Sequence, residues 1–299
     1  MPVAEKSILH LLSPLPHASP FDLNMALDAG YDAVIPYTNV TLEQVTGLVQ
    51  DAIFSRPPND GAKTCVFIGG KNAIAALDML DSAKAAMVPP FVISLFADPA
   101  GSFTTAAAMV ARLERTLRIS HKRALAGTRI LVFGATGVVG FASAVISALE
   151  GAHVTLVGHD GAQRVQQSAD EAEARFGVSL RAADGSTEAL KAALLKGADV
   201  ALCAGKAGVQ IIDENLLKAS PGLLAVADVN AVPPLGVAGL DLFADGATIG
   251  GGTAGIGALA IGQTKYQTEF GLFRRMIESS EPLTLDFRDA FALARELSQ

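Results

Sequence analysis

The chain is 299 residues long, half of them hydrophobic and 18% charged, with a formal net charge of −7. One hydrophobic core rarely organises that many residues, so two lobes of roughly 100–200 residues each are expected. Apolar runs break at Gly, Pro or a charge well before the ~18 residues of a membrane span, and an acidic chain without a Lys/Arg cluster does not suit nucleic acid, so neither a membrane nor a nucleic acid is expected as partner.

At the N-terminus Glu5 and Lys6 precede a short apolar run, Ile8 to Leu12, without the basic segment and cleavage site of a secretory signal, which predicts a cytoplasmic protein. Strand-like runs then follow at 7–13, 32–36, 64–70 and 91–97, alternating with helical stretches at Phe21–Ala29, Thr41–Phe54, Asn72–Met87 and Ser102–Ile119. This βα alternation predicts a mostly parallel sheet covered on both faces. A basic segment, Arg118 to Arg123, and Gly127 mark the expected boundary, giving an N-terminal α/β domain at 1–123 and a second domain at 124–279. The alternation restarts there with RILVF, HVTLVG, VSLRAA, DVALCAG and LLAVADV. A glycine-rich connection, Gly250 to Gly257, leads into a long amphipathic helix at 258–279. The last helix, about 285–297, is expected to pack back on the first lobe with the rest of 280–299, because Phe287, Phe291 and Leu297 would otherwise be exposed. Cys65 and Cys203 lie in or beside strand-like runs and read as buried free thiols.

RILVF runs directly into Gly134-Ala135-Thr136-Gly137-Val138-Val139-Gly140 and then into a helix and a second strand. That order turns a weak glycine pattern into a Rossmann dinucleotide site. Gly134 lets the chain turn, Gly137 lets backbone reach a pyrophosphate, and Gly140 lets helix and sheet approach, while the helix N-terminus offers N–H groups and a positive dipole end. A carboxylate for the ribose 2′-OH is expected about 20 residues after the first glycine. Gly158 stands there instead, followed by His159 and, a turn later, Arg164, either of which can meet a 2′-phosphate. Both NAD and NADP are therefore expected as cofactors.

The proton-transfer pattern Tyr-x-x-x-Lys of short-chain reductases is absent, since none of Tyr31, Tyr37 and Tyr266 has a Lys four residues on. No Gly-x-Ser-x-Gly elbow, Cys-x-x-Cys or His-x-x-x-His pair occurs, and no metal site is expected. His10, His17, His121 and His153 read as isolated residues. A dehydrogenase without a general base suits a substrate that loses only a hydride. Oxidation of a methylene group between two nitrogens is such a reaction, because its product is a resonance-stabilised amidinium cation.

Across nearly the whole length the chain resembles the methylene-tetrahydromethanopterin and methylene-tetrahydrofolate dehydrogenases of methylotrophic bacteria. The matching segments are Ser19–Asp22, Asn39-Val40-Thr41, Phe67–Gly70, Asp98 with Gly101–Ala108, the Gly134 loop, Ala204-Gly205, Asp228–Gly236, and Gly255–Gly262 followed by Lys265. The resemblance implies hydride transfer from a methylene pterin to NAD or NADP in formaldehyde oxidation, by a homo-oligomer. It also implies that the pterin, the C1 carrier and substrate, lies in a cleft against the nicotinamide. Lys265 then corresponds to the family's active-site lysine and Asp22 to its acidic partner, with Asn39, Asp98, Thr104 and Thr105 on the substrate side. Ala204, Gly205, Asp228 and Asn230 join the glycine loop on the cofactor side. Relatives selective for NADP carry Arg where this chain has His159, which fits the branch that uses both cofactors.

Each of these residues also has a purely structural reading: Lys265 as a solvated helix lysine, Asp22 as a first-turn carboxylate, Thr41 as an N-cap, Thr104 and Thr105 as helix packing, His159 as a turn residue. The alternatives are a methylene-tetrahydrofolate dehydrogenase and a non-catalytic NAD(P)-binding sensor. The bifunctional folate dehydrogenase–cyclohydrolases need a Tyr-x-x-x-Lys that is missing. Shikimate dehydrogenases share the architecture, but only Lys71-Asn72 echoes their lysine.

Overall fold

The computed structural model describes residues 6–299. The chain divides into two compact units, one of the residues up to Thr104 with Tyr266–Leu293, the other of Thr105–Lys265 with Ala294–Gln299.

In the first unit β1 (Ile8–Leu12), β2 (Ala33–Tyr37), β3 (Thr64–Ile68), β4 (Ser94–Ala97) and a two-residue strand, β12 (Thr284–Leu285), form a parallel sheet in the order β12-β4-β3-β1-β2. β3 is buried at every position, which is why the residues after Thr64, CVFI, form a continuous apolar run rather than an alternation. Helices α1 (Pro20–Ala29), α2 (Leu42–Phe54) and α3 (Ala73–Ala85) start where a side chain satisfies an orphan N–H. Ser19 accepts from the Asp22 amide at 3.3 Å and Asn72 from the Ala75 amide at 2.9 Å. Thr41 is the N-cap of α2, and its own amide donates to Gln44 at 2.9 Å. From β1 the chain steps to β2 on one side, then back across β1 to β3. The loops after β1 and β3 therefore flank a switch point, where open α/β sheets hold ligands. Helix α9 (Ala258–Glu278) sends Phe273 into this core, 5.4 Å from Phe67 and 5.3 Å from Phe96. α10 (Phe287–Leu297) sets Phe287 5.1 Å from Phe103. Full burial of such a side chain contributes about 2 kcal/mol.

In the second unit β5 (Arg129–Phe133), β6 (His153–Gly158), β7 (Arg181–Asp184), β8 (Val200–Cys203), β9 (Ala225–Asp228), β10 (Asp245–Thr248) and β11 (Ala254–Ile256) follow the order β10-β11-β9-β8-β5-β6-β7. Only β10 is antiparallel to its neighbour. This is the doubly wound Rossmann arrangement, with its switch point between β5 and β8. The glycine-rich stretch read as a connection contains β11. There a Cβ on Gly255 would come 2.5 Å from the Leu240 side chain, and one on Gly257 2.2 Å from the Asp241 carbonyl oxygen, so bare backbone is what lets the segment pair beside β9.

The units divide at different places from those the sequence predicts. The expected boundary at 123/124 keeps the whole of α4 (Ser102–His121) in the first domain, whereas the division falls inside this helix, after Thr104. Its later turns bond within the second unit: Arg112 pairs with Asp245 at 2.7 Å and Arg115 with the same carboxylate at 3.1 Å. Likewise α9 divides at Lys265 and α10 at Leu293. Phe287 of α10 packs in the first unit, while Arg295 pairs with Glu114 at 2.7 Å in the second.

At the amino ends of β5 and β8, Asp199 accepts from the Arg129 side chain at 2.9 and 3.0 Å and from its backbone amide at 2.9 Å, with Arg123 at 3.3 Å. Hydrogen bonding to the Arg129 guanidinium pulls this carboxyl down to about 2. Cys65 in β3 and Cys203 in β8 are free and fully buried. Burial pushes the Cys65 thiol up to about 12 and raises that of Cys203 well above its ordinary value.

Candidate functional site

In the second unit the glycine loop joins β5 to α5 (Val138–Leu149) at the switch point. Gly134 turns the chain at φ 78°, and a Cβ there would lie 2.2 Å from the Ala204 carbonyl oxygen, so no other residue fits. At Gly140 a Cβ would stand 2.4 Å from the Gly134 carbonyl oxygen, which seats the helix on the loop. Gly137 is the extended N-cap, where a Cβ would meet protein only at 3.3 Å and otherwise face outwards. The first-turn amides of Val138, Val139 and Gly140 have no intrahelical acceptor and carry the positive end of the helix dipole.

Above this loop opens a cleft of about 590 Å³. Gly134, Thr136 and Gly137 form its floor, His159 follows β6, and Ala204, Gly205 and Lys206 follow β8. Gly185 and Ser186 of the segment joining β7 to α7 (Glu188–Lys196) and Lys191 of α7 itself, together with Val209, Gln210 and Ile211, close the rest. Among the described residues no carboxylate lines it. The shape, the bare-backbone floor and the absence of negative charge fit a dinucleotide, and the lack of an acid beside the ribose end fits one with or without a 2′-phosphate.

The structure thus brings Gly134, Thr136, Gly137, His159, Ala204 and Gly205 together, with Ala135 buried beneath and Val138, Val139 and Gly140 at the helix start. Four expected cofactor residues lie elsewhere. Gly158 offers no place for a side chain, since a Cβ would come 1.9 Å from the Gly161 carbonyl oxygen. The next residue, His159, does border the cleft, and its side chain is 83% exposed. Arg164 is held at 3.2 Å by Asp160 on the exposed surface. Asp228 is buried and accepts from the amides of Asn230 at 2.9 Å and Val237 at 3.2 Å, fixing the loop after β9; burial raises its carboxyl above the ordinary value. Asn230 accepts from the Val232 amide at 2.9 Å and the Gly208 amide at 3.4 Å, and donates to the Pro234 carbonyl at 3.0 Å. These two side chains shape the loops around the cleft from behind. Lys191 and Lys206 were not expected in the site, although Lys206 directly follows the Ala204-Gly205 pair.

In the first unit the expected substrate residues stand at the carboxyl ends of the strands. Asn39, exposed after β2, adopts φ 54° and donates its amide to the Leu15 carbonyl at 2.8 Å. Asp98, fully buried after β4, accepts from the Phe103 amide at 2.7 Å and from the Thr104 amide and hydroxyl at 3.3 and 2.5 Å. This clasp fixes the first turn of α4. Asp22 is buried in α1. Thr105 and Lys265 belong to the second unit, and both are half-buried.

A doubly wound sheet with a glycine loop and an acid-free cleft at its switch point defines a Rossmann-type dinucleotide-binding protein of the two-unit dehydrogenase fold. Solved structures share that fold: a ligand-free 5-ketofructose reductase of Gluconobacter sp. strain CHM43 (18% identity, 99% of this chain and 100% of that one, TM-score 0.54) and shikimate 5-dehydrogenase from Listeria monocytogenes (12% identity, 91% and 92%, TM-score 0.56). The profile of a family described as methylene-tetrahydromethanopterin dehydrogenase, N-terminal, matches residues 20–100. Over 98% of its length the chain is 54% identical to the NAD(P)-dependent methylenetetrahydromethanopterin dehydrogenase of Methylorubrum extorquens, covering 99% of that protein. It is 34% identical over 94% of its length to the Bifunctional protein MdtA of the same organism, covering 95% of it. The chain belongs to the methylenetetrahydromethanopterin dehydrogenase family.

Proposed function

We propose that the chain moves a hydride from the methylene group of methylene-tetrahydromethanopterin to NAD or NADP, giving the methenyl form, in formaldehyde oxidation. The 54% identity over nearly the whole chain carries this reading, and the cleft without a carboxylate supports the use of both cofactors. The bound nicotinamide supplies the hydride acceptor. The protein's residues then have to bind and orient, because the amidinium product forms without loss of a proton.

Lys265 orients the pterin. An ammonium ~4 Å from a carbon becoming cationic would oppose the reaction by about 4 kcal/mol at an effective dielectric near 20, so Lys265 acts away from the reacting carbon, with Asp22 as its acidic counterpart on the substrate. Asn39 and Thr105 offer hydrogen bonds to the pterin. Asp98 and Thr104 serve as positioning residues, holding the helix turn that leads into Thr105. A cytoplasmic homo-oligomer completes the proposal. No described helix is long and apolar enough to cross a membrane.

The test is a spectroscopic assay of NAD and NADP reduction with methylene-tetrahydromethanopterin and methylene-tetrahydrofolate. Turnover of the methanopterin with both cofactors is expected. Turnover of the folate alone would reassign the substrate, and turnover of neither would overturn the proposal.

A further inference from the structure

Within the nucleotide cleft, we infer that Lys206 clamps the cofactor's diphosphate from the β8 side of the glycine loop; this rests on the dinucleotide reading of the cleft and not on the identity of the C1 carrier. Three basic side chains line the cleft, His159, Lys191 and Lys206. Two of them are committed. The Lys191 ammonium donates to the Ile211 carbonyl at 3.1 Å and pairs with Glu188, leaving its side chain 16% exposed. His159 stands 3.8 Å from Asp160, a carboxylate that Arg164 also holds. Among the described residues the exposed Lys206 side chain makes no hydrogen bond or ion pair, although it borders a cleft with no carboxylate.

Its location selects the diphosphate over the 2′-phosphate. Gly134 packs so closely on the end of β8 that a Cβ would lie 2.6 Å from the Gly205 amide nitrogen, one residue before Lys206, whereas the ribose-side residue, His159, follows β6 on the other flank of β5. The turn that carries the lysine is held in place. The Val209 amide donates to the Lys206 carbonyl at 3.2 Å, and Gly208, at φ 76°, donates to Asn230 at 3.4 Å. A diphosphate has two negative charges, while the start of α5 offers amides and about half a positive charge. A full cation from the neighbouring loop answers the remainder.

Calorimetric titration of adenosine, 5′-ADP, NAD and NADP into the wild type, Lys206→Ala and Lys206→Arg tests this. Loss of one charge-assisted contact predicts that Lys206→Ala weakens 5′-ADP, NAD and NADP alike by about tenfold. Adenosine should be unchanged, Lys206→Arg should restore most of the loss, and added salt should shrink the difference. A loss confined to NADP would place the ammonium on the 2′-phosphate and overturn the inference. An equal loss for adenosine would mean that the residue only shapes the loop, and an unchanged 5′-ADP affinity would show that it contacts no phosphate. A wild type that binds nucleotides but oxidises no methylene pterin would sink the proposed reaction while leaving Lys206 in its role.

Discussion

Two mostly parallel sheets in one chain present loops at a switch point, yet they build their crests by different means. In the second unit the crest is bare backbone: Gly134, Gly137 and Gly140 leave amides and space, and the lysines stand at the rim. In the first unit it is made of side chains, several already committed to one another, as in the Asp98–Thr104 clasp beneath α4. A site of the first kind fails when an atom is added. A site of the second kind fails when an atom is removed.

Adding atoms should give the largest effects, and the two nearby glycines separate ligand space from folding space. Gly137→Val fills the place a diphosphate needs while meeting protein only at 3.3 Å, so affinity for both cofactors should fall by at least about a hundredfold, as roughly 3 kcal/mol of phosphate contacts is lost. Its Tm should stay within about 3 °C of wild type. Gly140→Ala, by contrast, forces a carbon to within 2.4 Å of the Gly134 carbonyl oxygen and should cost about 3 kcal/mol of stability. Calorimetry and thermal melts on the pair check this; equal melting losses would mean that Gly137 is a packing glycine.

Removing atoms on the substrate side comes next. Lys265→Ala should lower kcat/KM for the methylene pterin by at least about tenfold while the dissociation constants of NAD and NADP stay within about twofold, the loss of a single charged hydrogen bond. A parallel loss of cofactor affinity would move Lys265 to the nucleotide.

Cofactor choice offers a smaller, signed effect. His159→Asp places a carboxylate on the ribose side of an otherwise acid-free cleft, giving NAD an acceptor for its 2′-OH and repelling the 2′-phosphate of NADP. The ratio of kcat/KM for NAD over NADP should rise about tenfold. Gly158→Asp would not test the same idea, because its Cβ collides with the Gly161 carbonyl. A ratio unmoved in a folded His159→Asp variant would place the adenosine ribose elsewhere.

The smallest effect lies at the far end of the β5 and β8 strands. The Asp199 carboxyl sits at about 2 in the folded chain against an ordinary 3.8. Its contribution is therefore complete above the ordinary value and drains away as pH falls from about 4 towards about 2. Melts across that window should show a loss that Asp199→Asn abolishes, without any change in nucleotide affinity at neutral pH. An acid-dependent melt that persists unchanged in Asp199→Asn would assign the loss to other carboxylates.

Legibility in the sequence follows the same contrast. The β5–glycine loop–α5 order was readable because the need for bare backbone leaves glycines at fixed spacing, and TCVFI and RILVF were readable because burial demands apolar runs. β11 was hidden because the glycines that let it pair also look like a loop. Lys191 and Lys206 reach the cleft only because β8 lies beside β5, a neighbourhood that chain order does not express. Asp228 and Asn230 came to the cofactor side through the resemblance alone, and the hydrogen bonds that tie them to backbone amides of their own loop are not expressed in chain order. The boundary at 123/124 followed a basic segment where the βα alternation restarts, whereas the division falls inside α4, after Thr104.

The two cysteines give the molecule a property of another kind. One sits in each unit, fully buried, with burial raising its thiol to about 12 for Cys65 and well above the ordinary range for Cys203. Neither presents a thiolate to an electrophile while its strand is paired. Alkylation therefore waits for opening, and peptide mapping of a timed iodoacetamide reaction would read Cys65 and Cys203 as separate clocks. Equal rates would mean that the chain opens as a whole, and unequal rates would rank the two sheets by kinetic stability, with no substitution needed.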